Sequence, residues 1–156
     1  TRRPLSTKHS IHLVMRSSQA TGPLSMLRKE PDVDRIFRRQ AKRFGVKIYR
    51  FANVGNHIHA LLKITSARLF KGFLRAISGL IAREVLGVER GAAKGLKFWD
   101  ARPFTRIVAW GRAYKAARSY LIKNELEAMG FAVEVHRTKG RGPPKTQILW
   151  PQQLLC

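Results

Sequence analysis

The sequence predicts an α+β domain of the ferredoxin-like, split-βαβ kind. That is a four-stranded antiparallel sheet with two helices on one face and a further helix after the fourth strand. Two observations predict it. Residues 10–17 alternate apolar and polar with period two, three further short runs read as strands, and the four are interleaved with amphipathic stretches of helical period in the order strand, helix, strand, strand, helix, strand. The middle two strands are separated only by Gly55-Asn56, a hairpin signal. The chain has 156 residues, 44% of them hydrophobic, which is enough to bury one core without disulfides. No repeat of 20–50 residues is visible.

Residues 1–8 are basic and polar and read as an arm. Residues 10–17 form the first strand, with Ile11, Leu13 and Met15 on one face and His12, Val14 and Arg16 on the other. Thr21-Gly22-Pro23 ends it. A helix follows from about Pro31, which suits a first turn, with Asp32 and Asp34 near its positive end. Val33, Ile36, Phe37, Ala41 and Phe44 make its apolar stripe, and Gly45 closes it. Residues 46–54 and 57–64 are the hairpin strands. Ser66 caps a long helix to about Leu86 that buries Phe70, Phe73, Leu74, Ile77, Ile81 and Val85. Residues 87–96 are glycine-rich and basic, a loop. The fourth strand is Phe104–Val108, and the last helix runs over 111–129 until Gly130. Residues 131–156, with Arg137, Lys139, Arg141 and Pro143-Pro144, read as a basic tail, which leaves residues 9–130 as the domain.

Charge narrows the function. Lys and Arg total 31 against 9 Asp and Glu, a formal net charge of +22. A small neutral metabolite needs no such field, which also strains the compact state by self-repulsion. A polyanion is the expected partner, with nucleic acid first. No apolar run is long enough to span a membrane, and with residues 1–8 basic and polar no apolar targeting segment is expected. The single cysteine, Cys156, excludes a disulfide framework or a cysteine-based zinc site within the chain, and a reducing cytoplasm fits.

The stretch Asn56-His57-Ile58-His59-Ala60-Leu61-Leu62 carries the chemistry. Alternation puts His57 and His59 on one sheet face, about 6–7 Å apart, while Ile58, Ala60 and Leu62 face the helices. Two such imidazoles can converge on a divalent ion, although a His-x-His pair also occurs on ordinary strands. On the last helix Tyr120 and Asn124 are one turn apart and share a face. A tyrosine oxygen is a nucleophile when it faces a metal-polarised electrophile, and equally a routine packing group. An asparagine carbonyl is a candidate third ligand.

Together these residues resemble the single-tyrosine HUH transposases, in particular the REP-associated tyrosine transposase branch of the insertion-sequence-type, IS200-like superfamily. His57-Ile58-His59 is similar to that family's His-hydrophobic-His motif, and Tyr120-Leu121 through Asn124 to its tyrosine helix. Phe98-Trp99-Asp100-Ala101-Arg102-Pro103-Phe104-Thr105-Arg106-Ile107-Val108 resembles the tryptophan-containing strand before it. The resemblance covers roughly residues 8–130. It implies that His57 and His59, with Asn124, bind Mg²⁺ or Mn²⁺, and that Tyr120 attacks a phosphate of single-stranded DNA near a hairpin. The implied product is a 5′-phosphotyrosine and a free 3′-hydroxyl, which a second 3′-hydroxyl can reverse. Related proteins often carry Gln where this chain has Asn124, and Asn124-Glu125 replaces the branch's Asn-Pro pair. The family includes monomers and homodimers, so a homodimer is a further partner it allows.

Tyr114 lies about 240° round the helix from Tyr120, so both cannot face one site. Tyr49 and Phe51 share a strand face, available to stack bases or to pack a core. His12 reaches the His pair if its face is open, and otherwise fills a structural or solvent role. Arg102, Arg106, Lys115, Arg118 and Lys123 flank the site as candidate phosphate contacts, which bring affinity without sequence reading. Two other classes compete: a non-catalytic nucleic-acid-binding module of the same fold, which would not need Tyr120, and a zinc hydrolase. The last would need a third ligand and a carboxylate base, for which Asp100 is the only acid nearby in sequence.

Overall fold

The computed structural model describes residues 3–89, 97–136 and 145–149. The loop expected at 87–96 lies outside the described residues from 90 onward, as do 1–2 of the arm and 137–144 and 150–156 of the tail. The elements are β1 (Ser10–Arg16), α1 (Glu30–Arg43), β2 (Lys47–Asn53), β3 (His57–Lys63), α2 (Ala67–Leu86), β4 (Phe104–Val108), α3 (Arg112–Ala128), β5 (Ala132–His136) and β6 (Lys145–Leu149). Two short 3₁₀ turns, Gly22–Leu24 and Met26–Lys29, link β1 to α1. The main sheet is antiparallel in the order β2-β3-β1-β4. The α+β, split-βαβ architecture is therefore observed, with α1 and α2 packed on one face and α3 on the other.

Alternation sorts the two faces. Ile11, Leu13 and Met15 of β1 and Ile58, Ala60 and Leu62 of β3 meet the stripes of α1 and α2 in one core. Phe37 sits at its centre, fully buried, with ring centroids 4.6 Å from Phe51 and 5.3 Å from Phe73. Truncating such a ring to Ala costs about 3–5 kcal/mol. The opposite face holds a smaller cluster of Ala52, Leu61, Val108, Ala117 and Leu121, on which α3 rests. Arg50 of β2 and Glu125 of α3 add an ion pair across that layer.

Local signals set the boundaries. Ser66 accepts from the backbone N–H groups of Arg68 and Leu69 and starts α2, and Gly87, left-handed at φ 64°, ends it. Between β2 and β3, the Val54 N–H donates to the His57 carbonyl across a two-residue loop. Gly55 takes φ 92° there while Asn56 keeps negative φ, the requirement of a II′ turn. Asn53, buried, accepts from the Gly55 N–H and donates to the Met26 carbonyl, both at 3.0 Å. The turn that delivers His57 is thereby fixed to the body of the domain.

Two expectations need correction. Tyr49 and Phe51 do not share a face. A register shift between Ile48 and Arg50 places an extra residue in β2, a β-bulge. Phe51 enters the main core while Tyr49 turns to the α3 side, against Tyr114 and Trp110. The second concerns residues beyond 131, read as tail: β5 and β6 pair there as an antiparallel two-stranded sheet, His136 opposite Lys145.

Candidate functional site

The face of the sheet beneath α3 is built in rows by strand register. Val14 stands between His59 on β3 and Phe104 on β4, and His12 stands between Leu61 and Arg106. His57 opposes Arg16 at the end of the sheet. His12 and His59 are thus diagonal neighbours on adjacent strands, within reach of each other.

The rings make a stack of contacts. Nε2 of His12 lies 3.1 Å from Nδ1 of His59, one ring donating to the other. Their planes are 27° apart with centroids at 5.3 Å. His57 stands edge-on to His59 at 4.7 Å. Tyr120 descends from α3 and stands edge-on to both His59, at 5.7 Å, and His12, at 6.4 Å. His59 and His12 are buried at 5% and 7% exposure, whereas Tyr120 keeps 51%. The site is a buried imidazole floor under a half-open phenol.

Each histidine of the pair has one nitrogen engaged. His57 Nδ1 is engaged by the side-chain amide of Asn56; with the amide oxygen turned to the ring, the proton of a neutral imidazole sits on Nδ1 and the lone pair on Nε2. Nδ1 of His59 is held by His12, and its Nε2 is buried with no hydrogen-bond partner. Burial holds all three rings below the usual histidine range. His12 and His59 fall to about 4, the positive Arg106 adding to the effect at His12 and the neighbouring histidines at His59. His57 is lowered by burial and then by Arg16. The rings are therefore neutral at pH 7, the state in which imidazole donates electron pairs.

Asn124 sits one turn after Tyr120 on α3, and its Nδ2 is a second buried side-chain atom without a partner. The oxygen and nitrogen of an amide exchange places by a flip, so this end of the side chain can offer either. Among the described residues no group of three or more His, Cys, Asp or Glu is disposed to hold a metal ion. Two imidazole nitrogens are the donors this face offers, and Asn124, one turn after Tyr120, is the residue whose flipped amide could add an oxygen. Such a set suits a divalent ion that takes its remaining ligands from water or phosphate.

The other residues singled out in the sequence fall as follows. Arg106 lies across β1 from the site and lines, with His12, Phe104 and Tyr120, a groove between β4 and α3. Arg102 is exposed in the loop before β4. Lys123 pairs with Glu127 at 3.5 Å. Lys115 and Arg118 are exposed and lie about 140° and 160° round α3 from Tyr120. Arg118 is close enough to Arg50 to lower its pKa, second to burial. Tyr114 packs on Tyr49 and Trp110, on the β2 side of α3. Trp99 packs against the main core and donates to the Ser78 carbonyl at 2.9 Å, on the far face of the sheet from Tyr120. Asp100 accepts from the Ser18 N–H and hydroxyl, both at 2.8 Å, and pairs with Arg16 at 3.7 Å, so it anchors a loop and is not a free base. The residue that sequence reasoning undervalued is His12. Its parity was legible, but its partner depends on the β1–β3 register.

These features define a class: an antiparallel sheet with two helices behind it, an imidazole pair on its front face and a tyrosine-bearing helix laid across that face. No protein-family model matches the chain, and no curated protein matches it. Solved structures share the fold. One is a REP-associated tyrosine transposase bound to a REP hairpin, with TM-score 0.65 and 12% identity over 81% of this chain and 72% of that one. Another is a candidate transposase from Deinococcus radiodurans R1, with TM-score 0.51 and 18% identity over 80% of this chain and 96% of that one.

Proposed function

We propose that the chain is a transposase-type enzyme that cleaves and rejoins single-stranded DNA through Tyr120. The observation that carries the reading is Tyr120 standing over His59, whose Nε2 is buried and unpartnered. A buried polar atom left without a partner is costly unless something satisfies it in the working state. The fold shared with a transposase solved on a REP hairpin supports DNA as the substrate, and the net charge of +22 supports a polyanion.

His57 and His59, with Asn124, would hold Mg²⁺ or Mn²⁺. The chemistry such an ion supplies is that of a Lewis acid on the scissile phosphate. His12 holds Nδ1 of His59 and so keeps the ring turned with Nε2 toward the site. The exposed Tyr120 oxygen attacks phosphorus. The Tyr120 Oη–P bond forms and the P–O3′ bond breaks; the phenol loses one proton and the departing 3′-oxygen gains one. The DNA is left joined through a 5′-phosphotyrosine. Because that ester preserves the bond energy, a 3′-hydroxyl can reverse the step on the same or another strand without ATP.

The test is a denaturing gel of the protein mixed with 3′-labelled single-stranded hairpin DNA and Mn²⁺. A metal-dependent protein–DNA adduct is expected, lost in Tyr120→Phe and in His57→Ala. Tight binding with no adduct on a diverse hairpin pool, under either metal, would instead favour a non-catalytic binding module.

A further inference from the structure

Most large apolar side chains of this domain are buried. Among the described residues six stand exposed, and two of them, Phe104 on β4 and Tyr120 on α3, line one groove. Phe104 is the most open, at 61%. It occupies the site face of an edge strand, across Val14 from His59, so it stands about 10 Å, two strand spacings, from that imidazole. Between β4 and α3 runs a groove that begins at Tyr120 and is lined by Phe104, Arg106, Ile107 and, on α3, Ala113 and Ala116. The small alanines leave it wide, and Arg106 is the cation along it.

We propose that this groove is a nucleobase-stacking cleft that holds the unpaired nucleotides next to the scissile phosphate, with the Phe104 ring as its platform. The inference rests on the reading of Tyr120 as the nucleophile, because the groove opens at that side chain. Exposed aromatics next to a cation are what a single strand requires: bases stack on rings and phosphates pair with the guanidinium. A second copy of this chain is the poorer occupant. Each copy carries a formal charge of +22, and pairing through β4 would bring Arg106 against its own like. A single DNA strand supplies the opposite charge and the flat apolar faces together.

The experiment measures binding without metal. The probes are an oligo(dT) strand of about twelve nucleotides and an abasic strand of equal length and charge. Wild type is expected to bind the base-bearing strand about 5- to 150-fold more tightly, the range given by stacking on one ring. Phe104→Ala should lose that preference while keeping its affinity for the abasic strand. Ala116→Trp, at an exposed helix position, should block the groove with the same result. Equal binding of both strands by wild type, or an unchanged preference in both variants, would overturn the proposal. So would a wild-type dimer in sedimentation that Phe104→Ala converts to monomer, since the groove would then be a contact between copies. Failure of the nucleophile reading is separate: there wild type would form no adduct, or Tyr120→Phe would still form it, whatever the binding preference.

Discussion

His12→Ala is the substitution whose effect follows most directly from the geometry. His12 touches no substrate in this account and acts only through His59, from 3.1 Å, in a layer where both rings are more than nine-tenths buried. Removing it leaves Nδ1 of His59 buried without a partner, a cost of about 1–3 kcal/mol. It also frees the ring to turn or to move its proton to Nε2, which closes the lone pair to a metal. Loss of an outer-shell partner of this kind lowers metal affinity about 10- to 100-fold. The assay is a Mn²⁺ titration followed by electron paramagnetic resonance, beside a thermal melt of each metal-free protein. His12→Gln, which keeps a polar group toward His59, should recover part of the affinity. A His12→Ala protein that melts as a folded domain and binds Mn²⁺ like wild type would refute the positioning role.

Three further predictions use other parts of the structure. Gly55→Ala places a Cβ at φ 92° and 3.0 Å from the Ser25 hydroxyl, so urea denaturation should show a loss of at least about 1 kcal/mol, with Mn²⁺ affinity falling too because His57 is displaced. The metal-free protein should hold a level denaturation midpoint above pH 6.5 and lose stability as pH falls from there toward 4, because the unfolded histidines bind protons near 6.5 while folded His12 and His59 resist until about 4; a midpoint unchanged down to pH 4.5 would contradict the neutral-ring floor. Arg106→Ala should reduce the salt dependence of single-strand binding by about 0.7 in the log–log slope, one phosphate contact, whereas Lys115→Ala, on the outer side of α3, should leave it unchanged.

Much of this site was legible before any coordinates. Period-two alternation places His57 and His59 together, and one-turn spacing places Tyr120 with Asn124, because both depend only on the geometry of a single element. Element order was equally open, since caps and turns such as Ser66 and Gly55 act locally. What the sequence hid are relations between elements. The bulge that parts Tyr49 from Phe51 is a backbone irregularity with no residue signature here. The contact of His12 with His59 depends on which residue of β1 pairs with which of β3, and a shift of one position would have turned His12 into the main core. The helix α3 announces itself weakly because it buries little more than Ala117 and Leu121, so which face it presents was clearer from Tyr120 and Asn124 than from an apolar stripe. The pairing of β5 with β6 was masked by the basic, proline-containing segment between them.

The central claim is that Tyr120 becomes covalently joined to DNA, and mass spectrometry of the digested adduct tests it most directly. After incubation with single-stranded hairpin DNA and Mn²⁺, nuclease treatment and trypsin, the peptide of residues 119–123, Ser-Tyr-Leu-Ile-Lys, contains one tyrosine, with Ser119 and Lys123 as its other candidate nucleophiles. The account predicts a 5′-phosphodeoxynucleotide on Tyr120 of that peptide. A modification found instead on Tyr114, Tyr49 or a serine, or an adduct that forms undiminished in Tyr120→Phe, would contradict it.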